Sequence, residues 1–148
     1  MGSARPRRAR LALTRVRLVL DSSAALRAST SERAAADLED HELLGPPLLW
    51  SEVHSAVHEA LWRRDVDEPD AQRILSAFTA LGVGRRSPRS LYPEAYRLAS
   101  ELGWAKTYDA EFLALARIEG GKVLTTDARL RHGADRTGLV IDPSDLVR

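Results

Sequence analysis

The chain contains no cysteine, which excludes disulfides and cysteine-ligated zinc and agrees with a reducing, cytoplasmic setting. Any metal it holds must be taken by oxygen or imidazole. It also has no apolar run approaching the roughly 20 residues that cross a bilayer, and its opening, MGSARPRRARLALTR, lacks the continuous apolar stretch of a secretory signal. A soluble, cytoplasmic protein is expected. Residues 1–15 hold no acid at all, yet five arginines fall there: Arg5, Arg7, Arg8, Arg10 and Arg15. The 22 basic and 21 acidic residues of the chain thus become 17 (22 less those five) against 21 in the remainder. That remainder is mildly acidic, so overall charge makes no case for nucleic-acid binding. Residues 1–15 read as a basic extension, either disordered or an artefact of start assignment or cloning. Val16 is the alternative start if a GUG codon has been read as valine.

What is present suffices for one domain, residues 16–148, since 148 residues with 44% hydrophobic content can bury a sheet between helices. Val16–Leu20 is a β-rich apolar run that ends at Asp21, after which Ser22 and Ser23 offer caps for a helix. Ser31–Asp40 has strong helix formers. Gly45-Pro46-Pro47 then interrupts the chain before Leu48–Trp50, which reads as a second strand, with Ser51 capping a helix from Glu52 to Arg64. Asp70–Leu81 is amphipathic and stops at Gly82, and a third strand is expected around Val83–Arg86. Pro93 suits the first turn of a helix that closes at Gly103. Thr107 and Asp109 open another helix, which Gly120-Gly121 ends. Lys122–Thr125 and Leu139–Ile141 are the last strands, with a short helix after Asp127. Strands alternating with helices imply a mainly parallel sheet covered on both faces.

In such a sheet, ligands bind beyond the carboxyl ends of the strands. Four acids are expected at that edge: Asp21 and Asp127 after strands, and Glu52 and Asp109 in first turns of helices. Any one alone is explained by its favourable meeting with a helix dipole, typically about 0.3–1 kcal/mol. Together, carboxylates roughly 4 Å apart repel by about 4 kcal/mol at an effective dielectric near 20. A cation resolves that conflict, and an all-oxygen site suits Mg2+ or Mn2+. Such ions can orient water toward a phosphodiester and neutralise the leaving oxygen. Ser22, Ser23, Thr125 and Thr126 flank the acids and are candidates to orient them, with Ser22 and Thr125 the choices from the two pairs. Arg85, Arg86 and Arg89 form a basic cluster suited to an RNA backbone. His54 and His58 stand roughly 200–240° around their helix from Glu52 and face away from the acids.

The segments LVLDSSAAL, LLWSEVHSAVHEAL, KTYDAEFLALA and VLTTDARLR, in that order, resemble the PIN-domain ribonucleases and, within them, the VapC toxins of bacterial toxin–antitoxin pairs. The resemblance covers about Val16 to Asp145. It implies a PIN-like three-layer α/β/α sandwich with a five-stranded parallel sheet, and a Mg2+- or Mn2+-dependent endoribonuclease. It also implies a homodimer neutralised by a VapB-type antitoxin. Carried over by position, Asp21 and Asp109 would be metal ligands, Glu52 would complete the acidic site, and Asp127 would reach a metal directly or through water. Thr125 matches a frequent hydroxyl of the last motif. Its substrate would be a tRNA, rRNA or mRNA. Alternatives are a PIN nuclease of RNA processing without an antitoxin, and a PIN interaction module without chemistry. A haloacid dehalogenase-type phosphatase needs a second aspartate two residues after the first; that position here is Ser23.

Overall fold

The structure, a computed structural model, describes residues 16–146; the basic extension at 1–15 lies outside them. Leu18, Val19 and Leu20 are all fully buried in β1 (Arg17–Leu20), as a strand covered on both faces requires. Asp21 ends the strand by turning its carboxylate back onto the Ala24 N–H at 2.9 Å, capping α1 (Ser22–Thr30). The cap expected from Ser22 or Ser23 is thus supplied by Asp21. Ser31 caps a short α2 (Glu32–Ala36), so the helix expected to reach Asp40 closes early and the chain turns into β2 (Glu42–Gly45).

This second strand lies upstream of its expected position. Leu48–Trp50 belong instead to the opening of α3 (Pro47–Trp62). Proline at the first helical position loses no intrahelical hydrogen bond and presets the helical φ, so Pro47 opens a helix where an interruption before a strand was expected. Ser51 is consequently interior to α3 and caps nothing, and Glu52 stands in the second turn, not the first.

The chain continues through α4 (Glu68–Ala80), capped by Asp67, and β3 (Gly84–Arg85). Next come α5 (Leu91–Leu102), α6 (Tyr108–Glu119), β4 (Lys122–Leu124), α7 (Ala128–Gly133) and β5 (Val140–Ile141), with 3-10 turns at Asp135–Thr137 and Pro143–Leu146. Helices α5 and α6 stop at Gly103 (φ +71°) and Gly120 (φ +69°), in the left-handed conformation that glycine adopts without a Cβ penalty.

The five strands among the described residues form one parallel sheet ordered β3-β2-β1-β4-β5. Val19 of β1 stands beside Leu44 of β2 on one side and Val123 of β4 on the other. The chain crosses from β1 to β3 in one direction and returns to β4 in the other, so right-handed crossovers place their helices on opposite faces. Accordingly α1 packs with α3 and α4, while α6 packs with α5 and lies on β1 and β4. The result is the three-layer α/β/α sandwich. Helix α6 is buried without a break from Ala110 to Ala116, since it has the sheet on one side and α5 on another. Gly121 permits its close return to the sheet: a Cβ there would sit 2.3 Å from the Arg17 carbonyl oxygen. Among the described residues no helix is long and apolar enough to cross a membrane.

Candidate active site

The strand order reverses between β1 and β4, and the crevice beyond their carboxyl ends is where such sheets bind ligands. Asp21 and Thr125 immediately follow these two strands and are 6% and 1% exposed. They are bonded to each other, the Thr125 hydroxyl donating to Asp21 Oδ2. The Ser23 hydroxyl donates to Asp21 Oδ1 at 2.6 Å and accepts from the Thr126 N–H at 3.0 Å. Thr125 Oγ1 accepts from the Asp127 N–H at 3.0 Å. These bonds tie the end of β1 to the end of β4. The serine engaged with the aspartate is therefore Ser23, the neighbour of the expected Ser22, while Thr125 stands where expected.

Burial raises the Asp21 carboxyl above its ordinary pKa; the bonds from Ser23, Thr125 and the Ala24 N–H pull the other way, and the charge of Asp127 raises it further. Asp127 itself caps α7, with Oδ1 accepting from the Arg129 N–H at 2.9 Å.

Glu52 comes from α3 on one face of the sheet, and Asp109 from the first turn of α6 on the other. Burial, followed by the charges of Asp109, Asp21 and Glu111, raises the Glu52 carboxyl from 4.5 to about 7. The acids expected at the strand-end edge thus bear on one another electrostatically: Glu52 on Asp109 and Asp21, and Asp21 on Asp127.

Glu111 joins them without having been singled out by the sequence. It is only 7% exposed, and burial raises its pKa. Its signal was an acid interrupting the apolar run of α6, two residues beyond Asp109.

Among the described residues Asp21, Glu52, Asp109 and Glu111 have no ion-pair partner, and only Asp127 faces a cation, Arg129 at 4.0 Å. Oε1 of Glu52 is buried with no hydrogen-bond partner. An unpaired anionic oxygen of this kind costs several kcal/mol as an order of magnitude, and a hard divalent cation is the partner an all-carboxylate donor set suits. As the side chains stand, no three His, Asp or Glu residues among those described converge closely enough to ligate one ion, so binding requires the carboxylates to turn toward it.

The remaining candidates stand apart. Arg85, at the carboxyl end of the edge strand β3, lays its guanidinium over the Trp50 ring at 4.9 Å. Arg86 faces Glu42 at 4.0 Å, and Arg89 is exposed in the loop that follows. His54 places Nδ1 2.7 Å from the Trp50 carbonyl oxygen and its ring edge-on to Phe78, away from the acids.

The chain is thus a three-layer α/β/α protein with carboxylates at its strand-reversal edge. The PIN-domain family model matches residues 18–135, and the chain belongs to that family, whose members are in general metal-dependent nucleases. All four expected acids and Glu111 fall inside the matched stretch. The structure is similar to the crystal structure of PAE2754 from Pyrobaculum aerophilum, with 25% sequence identity, a TM-score of 0.70, and coverage of 90% of this chain and 96% of that one. Comparison with curated proteins finds no match.

Proposed function

We propose that this PIN domain is a Mg2+- or Mn2+-dependent endoribonuclease toxin of the VapC type, held in check by a VapB-type antitoxin in the cytoplasm. The observation that carries the chemistry is Glu52: a carboxyl pushed to about 7, with one buried oxygen unpartnered and neighbouring carboxylates beside it. That surplus of negative charge calls for a dication. When bound, the ion supplies activation of water and neutralisation of charge on the phosphodiester. Asp21, Asp109 and Glu52 are assigned to hold it, with Asp127 contacting it directly or through water. The hydroxyls of Ser23 and Thr125 fix Asp21 before substrate arrives, removing the need to order its carboxylate during the reaction.

RNA as substrate, the antitoxin and a homodimer rest on the motif resemblance. Exposed Trp62, Tyr92 and Tyr96 offer apolar surface for partner chains. Arg85, Arg86 and Arg89, near the carboxyl end of β3, are assigned to the RNA backbone. The test is induction of wild type, Asp21→Asn and Asp109→Asn with mapping of new RNA 5′ ends. Wild type is expected to stop growth and generate recurring cuts, and either variant, though folded, to do neither. Full cleavage by Asp21→Asn would overturn the mechanism.

A further inference from the structure

The indole of Trp50, in the opening of α3, is seated against the carboxyl end of β2. Gly45, which closes that strand, has no side chain to hold it off: a Cβ there would meet the ring at 3.3 Å. The buried Phe78 of α4 meets the indole edge-on, with ring centroids 5.9 Å apart. Over the ring so fixed lies the guanidinium of Arg85, 4.9 Å from its centroid, and Arg85 is itself the neighbour of Gly45 in the pairing of β2 with β3. Arg85 is exposed, and among the described residues it makes no ion pair, whereas Arg86 faces Glu42. The sheet register ties this pair to the acidic edge. Val19 stands beside Leu44 and Leu44 beside Gly84, so Arg85 is level with Leu20, the residue before Asp21, at two strand spacings or about 10 Å.

We propose that Arg85, laid flat on Trp50, grips a phosphate of the RNA strand flanking the cleaved bond, and that Trp50 is the residue that positions it. Resting on the ribonuclease reading above, this assignment narrows three arginines placed by charge to one placed by geometry, and adds a tryptophan that charge could not reveal. The N–H donors of a guanidinium lie in its plane, in a fork that matches two phosphate oxygens. A carboxylate partner would occupy those donors and cancel the charge. The indole takes one face and none of the donors, and it holds the plane before the phosphate arrives, so less freedom is lost on binding. At an edge lined with carboxylates, a cation left un-neutralised also offsets the repulsion that an incoming polyanion meets.

The experiment is filter binding of end-labelled total cellular RNA in EDTA at increasing NaCl, with cleavage kinetics of the same RNA in Mn2+, for wild type, Arg85→Ala, Arg85→Lys, Trp50→Leu and Trp50→Tyr. Arg33→Ala is the control, an exposed arginine of α2 that likewise makes no ion pair among the described residues and stands at the opposite end of the sheet. Arg85→Ala should weaken binding about tenfold and reduce the slope of log K against log salt by about 0.7–0.9, the loss of one phosphate contact. Its KM should rise and its kcat stay, since Arg85 is two strands from Asp21. Arg85→Lys should keep the slope and lose affinity, because an ammonium cannot match two oxygens at once. Trp50→Leu should weaken binding with Arg85 still present, and Trp50→Tyr, which keeps a ring beneath the guanidinium, should restore most of that loss. If the leucine variant does not fold, Arg85→Lys and the tyrosine variant carry the comparison. An arginine that merely covers the indole would alter melting and leave the salt slope untouched. A wild-type slope in Arg85→Ala, or an equal loss in Arg33→Ala, would therefore overturn the assignment while leaving the ribonuclease reading intact. Failure of wild type both to bind and to cut the RNA would instead overturn that reading, and this proposal with it.

Discussion

Replacing Glu52 by glutamine should stabilise the cation-free protein at high pH and do little at low pH. Burial, with Asp109, Asp21 and Glu111 nearby, raises the Glu52 carboxyl from 4.5 to about 7. Between those values the folded chain binds a proton that the unfolded chain releases, so stability falls as pH rises through this window. At 1.36 kcal/mol per pKa unit the ionised carboxylate would cost about 3 kcal/mol. Solvent reaching a half-buried group screens this to about 1–2 kcal/mol. For a domain of this size that corresponds to roughly 3–7 °C in Tm. Glutamine has nearly the same shape and no charge to lose. In EDTA, thermal unfolding followed by circular dichroism should show Glu52→Gln melting higher than wild type at pH 8, the two converging near pH 4.5. Adding Mn2+ at pH 8 should reverse the order, because the variant has lost a carboxylate with which to hold the ion. Equal melting of the two proteins at pH 8 in EDTA, or a difference that does not change with pH, would refute the electrostatic account.

Thr125→Val removes the hydroxyl that donates to Asp21 and accepts from the Asp127 N–H. It leaves buried groups unpaired at about 1–3 kcal/mol, so the urea midpoint should drop and RNA cleavage should fall with it. Gly121→Ala forces a methyl to within 2.3 Å of the Arg17 carbonyl oxygen, prying β1 from the chain entering β4. A loss of about 1–3 kcal/mol is expected from such overpacking, measured by the same denaturation, whereas an unchanged midpoint would mean that the α6–β4 turn is looser than the structure shows.

The sequence by itself determined the α/β class and the positions of Asp21, Asp109 and Asp127, because each lies at a boundary that local chemistry marks. Apolar runs end at Asp21 and just before Asp127, and Asp109 opens a helix that glycine closes. Local chemistry was not sufficient where an element is short or a side chain acts at a distance. Strand β2 is only Glu42–Gly45 and begins with an exposed acid, so the apolar run Leu48–Trp50 beyond the prolines looked the better strand until Pro47 proved to open a helix. Which serine holds Asp21 depended on the turn the backbone makes on leaving β1. That Glu52 and Asp109 bear on one another was decided only by tertiary structure, since they come from helices on opposite faces of the sheet. Carboxylates far apart in the chain act on one another only when the crossovers bring their helices to the same edge of the sheet.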